Sequence, residues 1–202
     1  MFYKGKKREG SVSKDHGDFH GYGSEIRKEI IRRIEIPKGS GEIRVLDVGT
    51  GFGRTVSLLA KKFPKKRTKI WTIDPSRQVL NNVRKNLREK EMDSNVNFVL
   101  ASAEKLDKFQ DDYFDLVISV MVLHHLVAIK PVLKEMNRVV RKSGKILLLD
   151  WKPGAHELPF QSGHMEKDFF KTNDIEESAK KLGLDVKVDD HKFWYFVELV
   201  KS

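Results

Sequence analysis

Val45-Leu46-Asp47-Val48-Gly49-Thr50-Gly51-Phe52-Gly53-Arg54 decides how this chain folds. An apolar run leads to an acid, three glycines follow at alternate positions, and a helical pattern begins directly behind them. A strand at Ile43 to Val48 therefore hands over to a helix from about Arg54 to Phe63 through one tight turn. Glycine is needed in such a turn because the backbone must bend sharply and let a ligand approach with no Cβ in the way. In an open α/β sheet, ligands bind at this point, outside the carboxyl ends of the strands.

The spacing separates ligand classes. A dinucleotide site uses Gly-x-Gly-x-x-Gly, with the helix start facing a pyrophosphate; here the glycines read Gly49-x-Gly51-x-Gly53. The next strand ends in Ile73-Asp74-Pro75, which puts a carboxylate 21 residues after Gly53, at the neighbouring strand tip. A carboxylate there accepts hydrogen bonds from both hydroxyls of a ribose. Asp47, just ahead of the turn, has two open roles: accepting from the turn's backbone N–H groups, or binding a ligand ammonium. Turn and acid together indicate an adenosine-containing ligand.

Outward from this point the chain alternates. Ser24 is positioned to cap a helix running to about Glu35, with Ile26, Ile30, Ile31 and Ile34 as its apolar stripe and Pro37 and Gly39 behind it. Strands are expected at Lys69 to Ile73, Val96 to Leu100, Phe114 to Val120 and Lys145 to Leu149, with helices at Arg77 to Lys90 and Lys130 to Val140 between them. The runs Leu116-Val117-Ile118 and Ile146-Leu147-Leu148 suit strands buried on both faces, as in a parallel sheet. A Pro-, Gly- and His-containing loop from Lys152 to Met165 precedes a helix at Asp174 to Leu182. Strands at Asp185 to Val188 and Lys192 to Val200, turning at Asp189-Asp190, close the chain as an antiparallel hairpin at one sheet edge. The expected architecture is a Rossmann-like α/β domain: a mostly parallel seven-stranded sheet with helices on both faces. One domain is expected over residues 1–202, with an N-terminal cap and helix at 1–41 and the core at 42–202.

Cysteine is absent, which excludes disulfides, thiolate metal sites and cysteine nucleophiles. The net charge of +10 suits an anionic partner, but with 34% charged residues it equally suits a surface laced with ion pairs. No apolar run reaches the roughly 20 residues that span a bilayer, and the basic start lacks the apolar segment of a secretory signal, so a cytoplasmic protein is expected.

With Asp74, the segment Leu46-Asp47-Val48-Gly49-Thr50-Gly51-Phe52-Gly53 resembles the signature of the class I S-adenosylmethionine-dependent methyltransferases. Phe114-Asp115-Leu116-Val117-Ile118-Ser119 followed by Val122-Leu123-His124-His125-Leu126 is similar to the fourth-strand motif of the broad type 11 methyltransferase group, which includes quinone-biosynthesis methyltransferases. Leu133-Lys134-Glu135, Arg138-Val139 and Lys142-Ser143-Gly144-Lys145 resemble its next helix, turn and strand. The resemblance implies S-adenosylmethionine as cofactor and S-adenosylhomocysteine as product. It implies further that Gly49 and Gly51 lie under the methionine part, that Asp74 binds the ribose, that Ala103 and Glu104 match the segment that touches adenine, and that Asp47, Thr50, Gly53 and Pro75 are cofactor-binding positions as well. Family members often carry Asp-Ala there, where this chain has Ser102-Ala103-Glu104, so the adenine amino contact is open between Ser102 and Glu104. Ser119 and Val120 are implied to offer backbone groups to the cofactor and to face the acceptor.

His124 and His125 are the candidate catalytic groups: an imidazole beyond the fourth strand acts as a base or orients an acceptor, unless it only bonds backbone or caps a helix. His16, His20, Tyr22, Trp151, His156 and His164 lie in segments expected to cover the pocket. His16 and His20 lack a third ligand, so no metal site is expected. Lys61-Lys62 to Lys65-Lys66-Arg67 reads as a solvated helix end that is also able to meet phosphates. Ser119-Val120-Met121-Val122 is not the Asn/Asp-Pro-Pro-aromatic pattern used on amide and adenine nitrogens. Zero Cys argues against arsenite methylation and the thiolate route to 5-methylcytosine. A small-molecule acceptor is the leading expectation. RNA or protein methylation on the basic surface, and a non-catalytic cofactor-binding regulator, are the alternatives.

Overall fold

The computed structural model describes residues 23–35, 41–155 and 169–202. Five helices are described: α1 (Gly23–Arg33), α2 (Arg54–Lys62), α3 (Arg77–Glu89), α4 (Ile129–Val139) and α5 (Thr172–Lys180). The strands are β1 (Ile43–Val48), β2 (Thr68–Asp74), β3 (Val96–Leu100), β4 (Phe114–Val120), β5 (Val140–Trp151), β6 (Leu184–Asp190) and β7 (Trp194–Lys201). They form one seven-stranded sheet in the order β3-β2-β1-β4-β5-β7-β6. The first five are parallel, and β7 runs antiparallel between β5 and β6. The order reverses between β1 and β4, so the crevice at that switch point opens beside the glycine turn.

Alternation along the strands divides the core. Val45, Ile70, Leu116, Ile118, Leu147 and Leu149 point to one face, where α1, α2 and α3 bring Ile26, Ile30, Val56, Leu59, Val83 and Leu87. Leu46, Val48, Ile73, Val117, Ile146 and Leu148 point to the other, against Val132, Leu133 and Met136 of α4 and Ile175 and Ala179 of α5. Helices cover both faces, as the doubly apolar strands require.

Four local expectations change. Helix α1 starts at Gly23, so Ser24 lies inside its first turn rather than capping it. Ile31 is 40% exposed while Ile26, Ile30 and Ile34 are buried, because the stripe narrows to the face that meets the sheet. The Lys142-Ser143-Gly144 turn persists only as a bulge within a strand that already begins at Val140: Phe114 pairs with Val140 and Leu116 with Lys145. The hairpin turn falls at residues 191–193, closed by His191 N donating to Trp194 O at 2.9 Å, since Asp189 and Asp190 still pair with β7.

The basic cluster at the end of α2 stays at the surface, with Lys61, Lys65 and Lys66 exposed, while three of its members reach backbone carbonyls. Lys62 Nζ donates to Ile31 O at 2.5 Å, Lys65 Nζ to Glu91 O at 2.9 Å and Arg67 Nε to Gly41 O at 3.2 Å. Trp151 is also structural: it is 2% exposed, ends β5 opposite Trp194 and packs in the core under α1 and α2. His16, His20, Tyr22, His156 and His164 lie outside the described residues.

Candidate functional site

The glycine turn is fixed by packing and by β2. Gly49 and Thr50 donate their N–H groups to Ile73 O at 3.0 and 2.8 Å, and Gly53 donates to Thr50 O at 2.8 Å. Gly51 N donates to Asp74 Oδ2 at 3.2 Å. The N–H groups of Gly49, Thr50 and Gly51 are therefore satisfied by Ile73 and Asp74 and that of Gly53 by Thr50, and Asp47 does not accept from them. Gly49 (φ +92°) and Gly53 (φ +78°) lie in backbone conformations that side chains rarely adopt, and an added Cβ would come within 2.3 Å of Val122 and 2.5 Å of Val83 respectively. At Gly51 the nearest atom to such a Cβ is Gly49 O, 4.0 Å away, so this glycine faces open space.

Asp47 is fully buried beneath the turn. Its Oδ2 accepts from Thr72 Oγ1 at 2.7 Å, and the Thr72 and Thr50 hydroxyls lie 2.6 Å apart. Its Oδ1 is buried without a hydrogen-bond partner. Burial pushes this carboxyl up to about 7, with the Thr72 hydrogen bond opposing and the Asp74 charge assisting. Asp74, 6% exposed, splits its oxygens between Gly51 N and Ser76 N, the latter at 2.8 Å. Burial raises its carboxyl as well, against those two backbone bonds.

A cavity of about 420 Å³, counted with its open mouth, lies against the turn. Val48, Gly49, Ile73, Pro75, Ala101, Ala103, Glu104, Val122, His125 and Leu126 line it. Of the two candidates for the adenine end, Glu104 is at the wall. Ser102 instead forms a bridge with Lys105, accepting its N–H at 3.1 Å. Ser119 is fully buried and donates its hydroxyl to Val48 O at 3.1 Å. The wall on the β4 side is made by Val122, His125 and Leu126, not by Ser119 and Val120.

Two anchors that hold this wall were not recognised as site residues in the sequence. Arg138 on α4 donates to Leu106 O and Phe109 O, both at 2.9 Å, while Glu135 accepts Leu106 N at 2.8 Å; these bonds fix the loop that carries Ala103 and Glu104. Asp150, fully buried at the end of β5, accepts Leu123 N at 2.5 Å, His124 N at 3.3 Å, Trp151 N at 2.7 Å and His124 Nδ1 at 2.5 Å. A buried carboxylate with four donors locks the turn after β4. Nothing local in the sequence marks this acid, since its distant partners Leu123 and His124 lie 27 and 26 residues away. His124 is thereby buried and tied to Asp150, whereas its neighbour His125 reaches the cavity, the two rings lying 4.0 Å apart.

These features fit S-adenosylmethionine. Gly51 leaves room beside the turn, Asp74 has lone pairs left for hydroxyls, Asp47 Oδ1 awaits a donor or cation, and Ile73, Ala101, Ala103 and Leu126 supply apolar walls for a base. Asp74→Ala is expected to weaken binding of S-adenosylhomocysteine by about 1.5 to 3 kcal/mol, the scale of hydrogen bonds to a charged group. It also frees Gly51 N and Ser76 N, so a loss of about 1 kcal/mol in stability accompanies it. Calorimetric affinity equal to wild type would remove Asp74 from the ribose site.

Comparison with known proteins agrees with this geometry. A model described as a methyltransferase domain matches residues 46–148, just over half the chain. The ubiquinone/menaquinone biosynthesis C-methyltransferase UbiE of Shewanella sp. is 30% identical over 125 residues, 62% of this chain and 49% of that protein, so the chain spans about half the length of the curated relatives it matches. In fold it is similar to an S-adenosylmethionine-dependent methyltransferase from Aquifex aeolicus (TM-score 0.70, 21% identity, 86% of this chain and 88% of that one). It is similar also to the Haemonchus contortus phosphoethanolamine N-methyltransferase 2, solved with phosphomonomethylethanolamine and S-adenosylhomocysteine (TM-score 0.71, 19% identity, 89% of this chain and 53% of that one). A glycine turn braced on β2, an acid at the next strand tip and the sheet order β3-β2-β1-β4-β5-β7-β6 thus coincide with a domain match that begins at Leu46 itself, and the chain belongs to the class I S-adenosylmethionine-dependent methyltransferases, in the broad type 11 methyltransferase-domain group.

Proposed function

We propose that this chain transfers the methyl group of S-adenosylmethionine to a small, largely apolar acceptor. The observation that carries the reading is the cavity beside the glycine turn, whose β4-side wall combines Val122 and Leu126 with the imidazole of His125. When bound, the cofactor supplies a methyl group on a sulfonium, and its displacement leaves a neutral thioether. The chain's task is to align and to exclude water. Gly49, Gly51 and Gly53 shape the bed for the methionine part, Asp74 and Pro75 hold the ribose end, and Ala103 and Glu104 border the base. His125 accepts a proton at a ring nitrogen from an acceptor that must lose one, and the Asp150–His124 pair behind it holds the wall in register.

The relatives named as ubiquinone/menaquinone C-methyltransferases support a carbon nucleophile on an activated ring as the first acceptor class to test. The engagement of Lys62, Lys65 and Arg67 with backbone carbonyls lessens the case for RNA docking at that cluster. Incubation with methyl-labelled S-adenosylmethionine and a fractionated cell extract is expected to place label in the small-molecule fraction. Label in RNA or protein would overturn the acceptor class. Absence of label together with intact cofactor binding would make the chain a binding protein.

A further inference from the structure

We propose that Arg138 and Glu135 of α4, neither of which lines the cavity, position its adenine-side wall and thereby set the preference of the site for adenine over other bases. The inference rests on the cofactor reading above and goes beyond it, since it gives residues outside the cavity the choice of nucleobase.

The connection between β3 and β4, residues 101–113, contains no helix or strand of its own. Ala101, Ala103 and Glu104, which line the cavity, therefore sit on a segment whose backbone groups must find partners elsewhere. Lys105 N donates to Ser102 O at 3.1 Å and closes a turn around Ala103 and Glu104. Beyond that turn α4 supplies the partners. Leu106 is fully buried, and both of its backbone groups are held: Glu135 Oε2 accepts its N–H at 2.8 Å, and Arg138 Nη2 donates to its carbonyl at 2.9 Å. Arg138 Nη1 donates to Phe109 O at 2.9 Å and to Asp111 Oδ1 at 2.7 Å. Asp112 N and Tyr113 N then donate to Arg138 O and Val139 O, at 3.0 and 2.8 Å.

Glu135 and Arg138 act as one unit. A turn apart on α4, they bond fork to fork, Nε to Oε1 at 3.0 Å and Nη2 to Oε2 at 2.8 Å. The planar guanidinium serves Glu135, Asp111 and two backbone carbonyls together, an arrangement that a lysine ammonium does not reproduce. Leu106 follows Glu104 by two residues, so the pin at Leu106 fixes where the Glu104 carboxylate stands at the cavity wall. A carboxylate there accepts from the exocyclic amino group of adenine. Hypoxanthine carries a carbonyl oxygen at the same place, and acceptor then meets acceptor. Such a choice depends on position, because a hydrogen bond weakens steeply with distance and angle. The apolar walls Ile73 and Leu126, outside the pinned segment, hold either base alike.

The experiment is titration calorimetry of the full chain with S-adenosylhomocysteine and, separately, with its deaminated counterpart S-inosylhomocysteine. The ratio of the two affinities is the readout, since a loss of folded protein lowers binding of both ligands alike and leaves their ratio unchanged. The wild-type chain is expected to prefer the adenine ligand by about tenfold or more, the scale of a hydrogen bond to a charged group. In Arg138→Ala the ratio is expected to fall to about threefold or less, chiefly through weaker binding of the adenine ligand. Arg138→Lys keeps a charge for Glu135 and Asp111 without the fork, and its ratio is expected to lie between the two. A ratio in Arg138→Ala equal to that of wild type, or a wild-type chain that binds both ligands equally, overturns the inference and leaves the cofactor reading intact. Should Arg138→Ala fail to fold, Arg138→Lys decides in its place, and a wild-type ratio there overturns the inference. No binding heat with S-adenosylhomocysteine in the wild-type chain, and no shift in its thermal melting, overturns both.

Discussion

Gly49→Ala is expected to lower stability by about 3 kcal/mol and to reduce S-adenosylhomocysteine affinity by more than tenfold. Two costs combine. At φ +92° a side chain sits in a region that costs about 1 to 2 kcal/mol, and the added methyl would lie 2.3 Å from Val122 Cγ2 and 3.0 Å from its Cγ1, an overpacking of about 1 to 3 kcal/mol. Val122 is β-branched and stiff, and it lines the cavity, so any retreat disturbs the ligand wall. The two costs are separable. Adding Val122→Ala should restore the packing share and leave the backbone share, giving a coupling of about 1 kcal/mol or more. Denaturant melts of the four proteins in this cycle measure it, and strict additivity would remove Val122 as the reason for glycine. Gly51 makes a useful contrast, since a Cβ there meets no atom nearer than 4.0 Å. Losses on substituting it report the ligand space and its φ of +48°, not a clash.

Asp150→Ala is the second large effect, about 3 to 5 kcal/mol of destabilisation. The substitution strands three backbone N–H groups and the His124 imidazole in a dry interior, each with its desolvation uncompensated. Asp150→Asn keeps acceptor capacity on one oxygen and should recover part of the loss. Because Asp150 ties down the turn that leads from Val122 to Leu126, turnover should fall by about a hundredfold or more in whichever variant stays folded. Affinity for S-adenosylhomocysteine, which rests on β1 and β2, should change far less. A denaturation midpoint matching wild type, or cofactor binding lost in step with turnover, would contradict this division of labour.

Asp47 and Asp150 show why some of the site was legible in the chain and some was not. Asp47 precedes a glycine turn, and that local arrangement is enough to mark it; what it bonds is not local, because Thr72 arrives only when β2 pairs with β1. Of its two open roles, accepting from the turn is removed for the same reason, as Ile73 O and Asp74 take the N–H groups of Gly49, Thr50 and Gly51. Asp150 carried no local mark, since an acid closing an apolar strand is indistinguishable from a solvated strand end until His124 is brought against it. Likewise Trp151 was grouped with the pocket cover because of its neighbours in sequence, while strand parity turns it into the opposite core.

Local sequence is enough for the α/β order, for strands Ile43–Val48, Val96–Leu100 and Phe114–Val120 to the residue, for the turn and its acid at Asp74 and, through the family resemblance these carry, for the donor class. Such features are written in short-range periodicity and spacing, which depend on backbone geometry within a few residues. Packing in three dimensions sets which glycines are held by contact, that His125 and not His124 meets the cavity, and that Asp47 lies buried with one unpartnered oxygen. Those outcomes depend on which strand pairs with which and on how much water each pairing removes, and burial sets the energy of a charge or a methyl group far more strongly than its neighbours in the chain do.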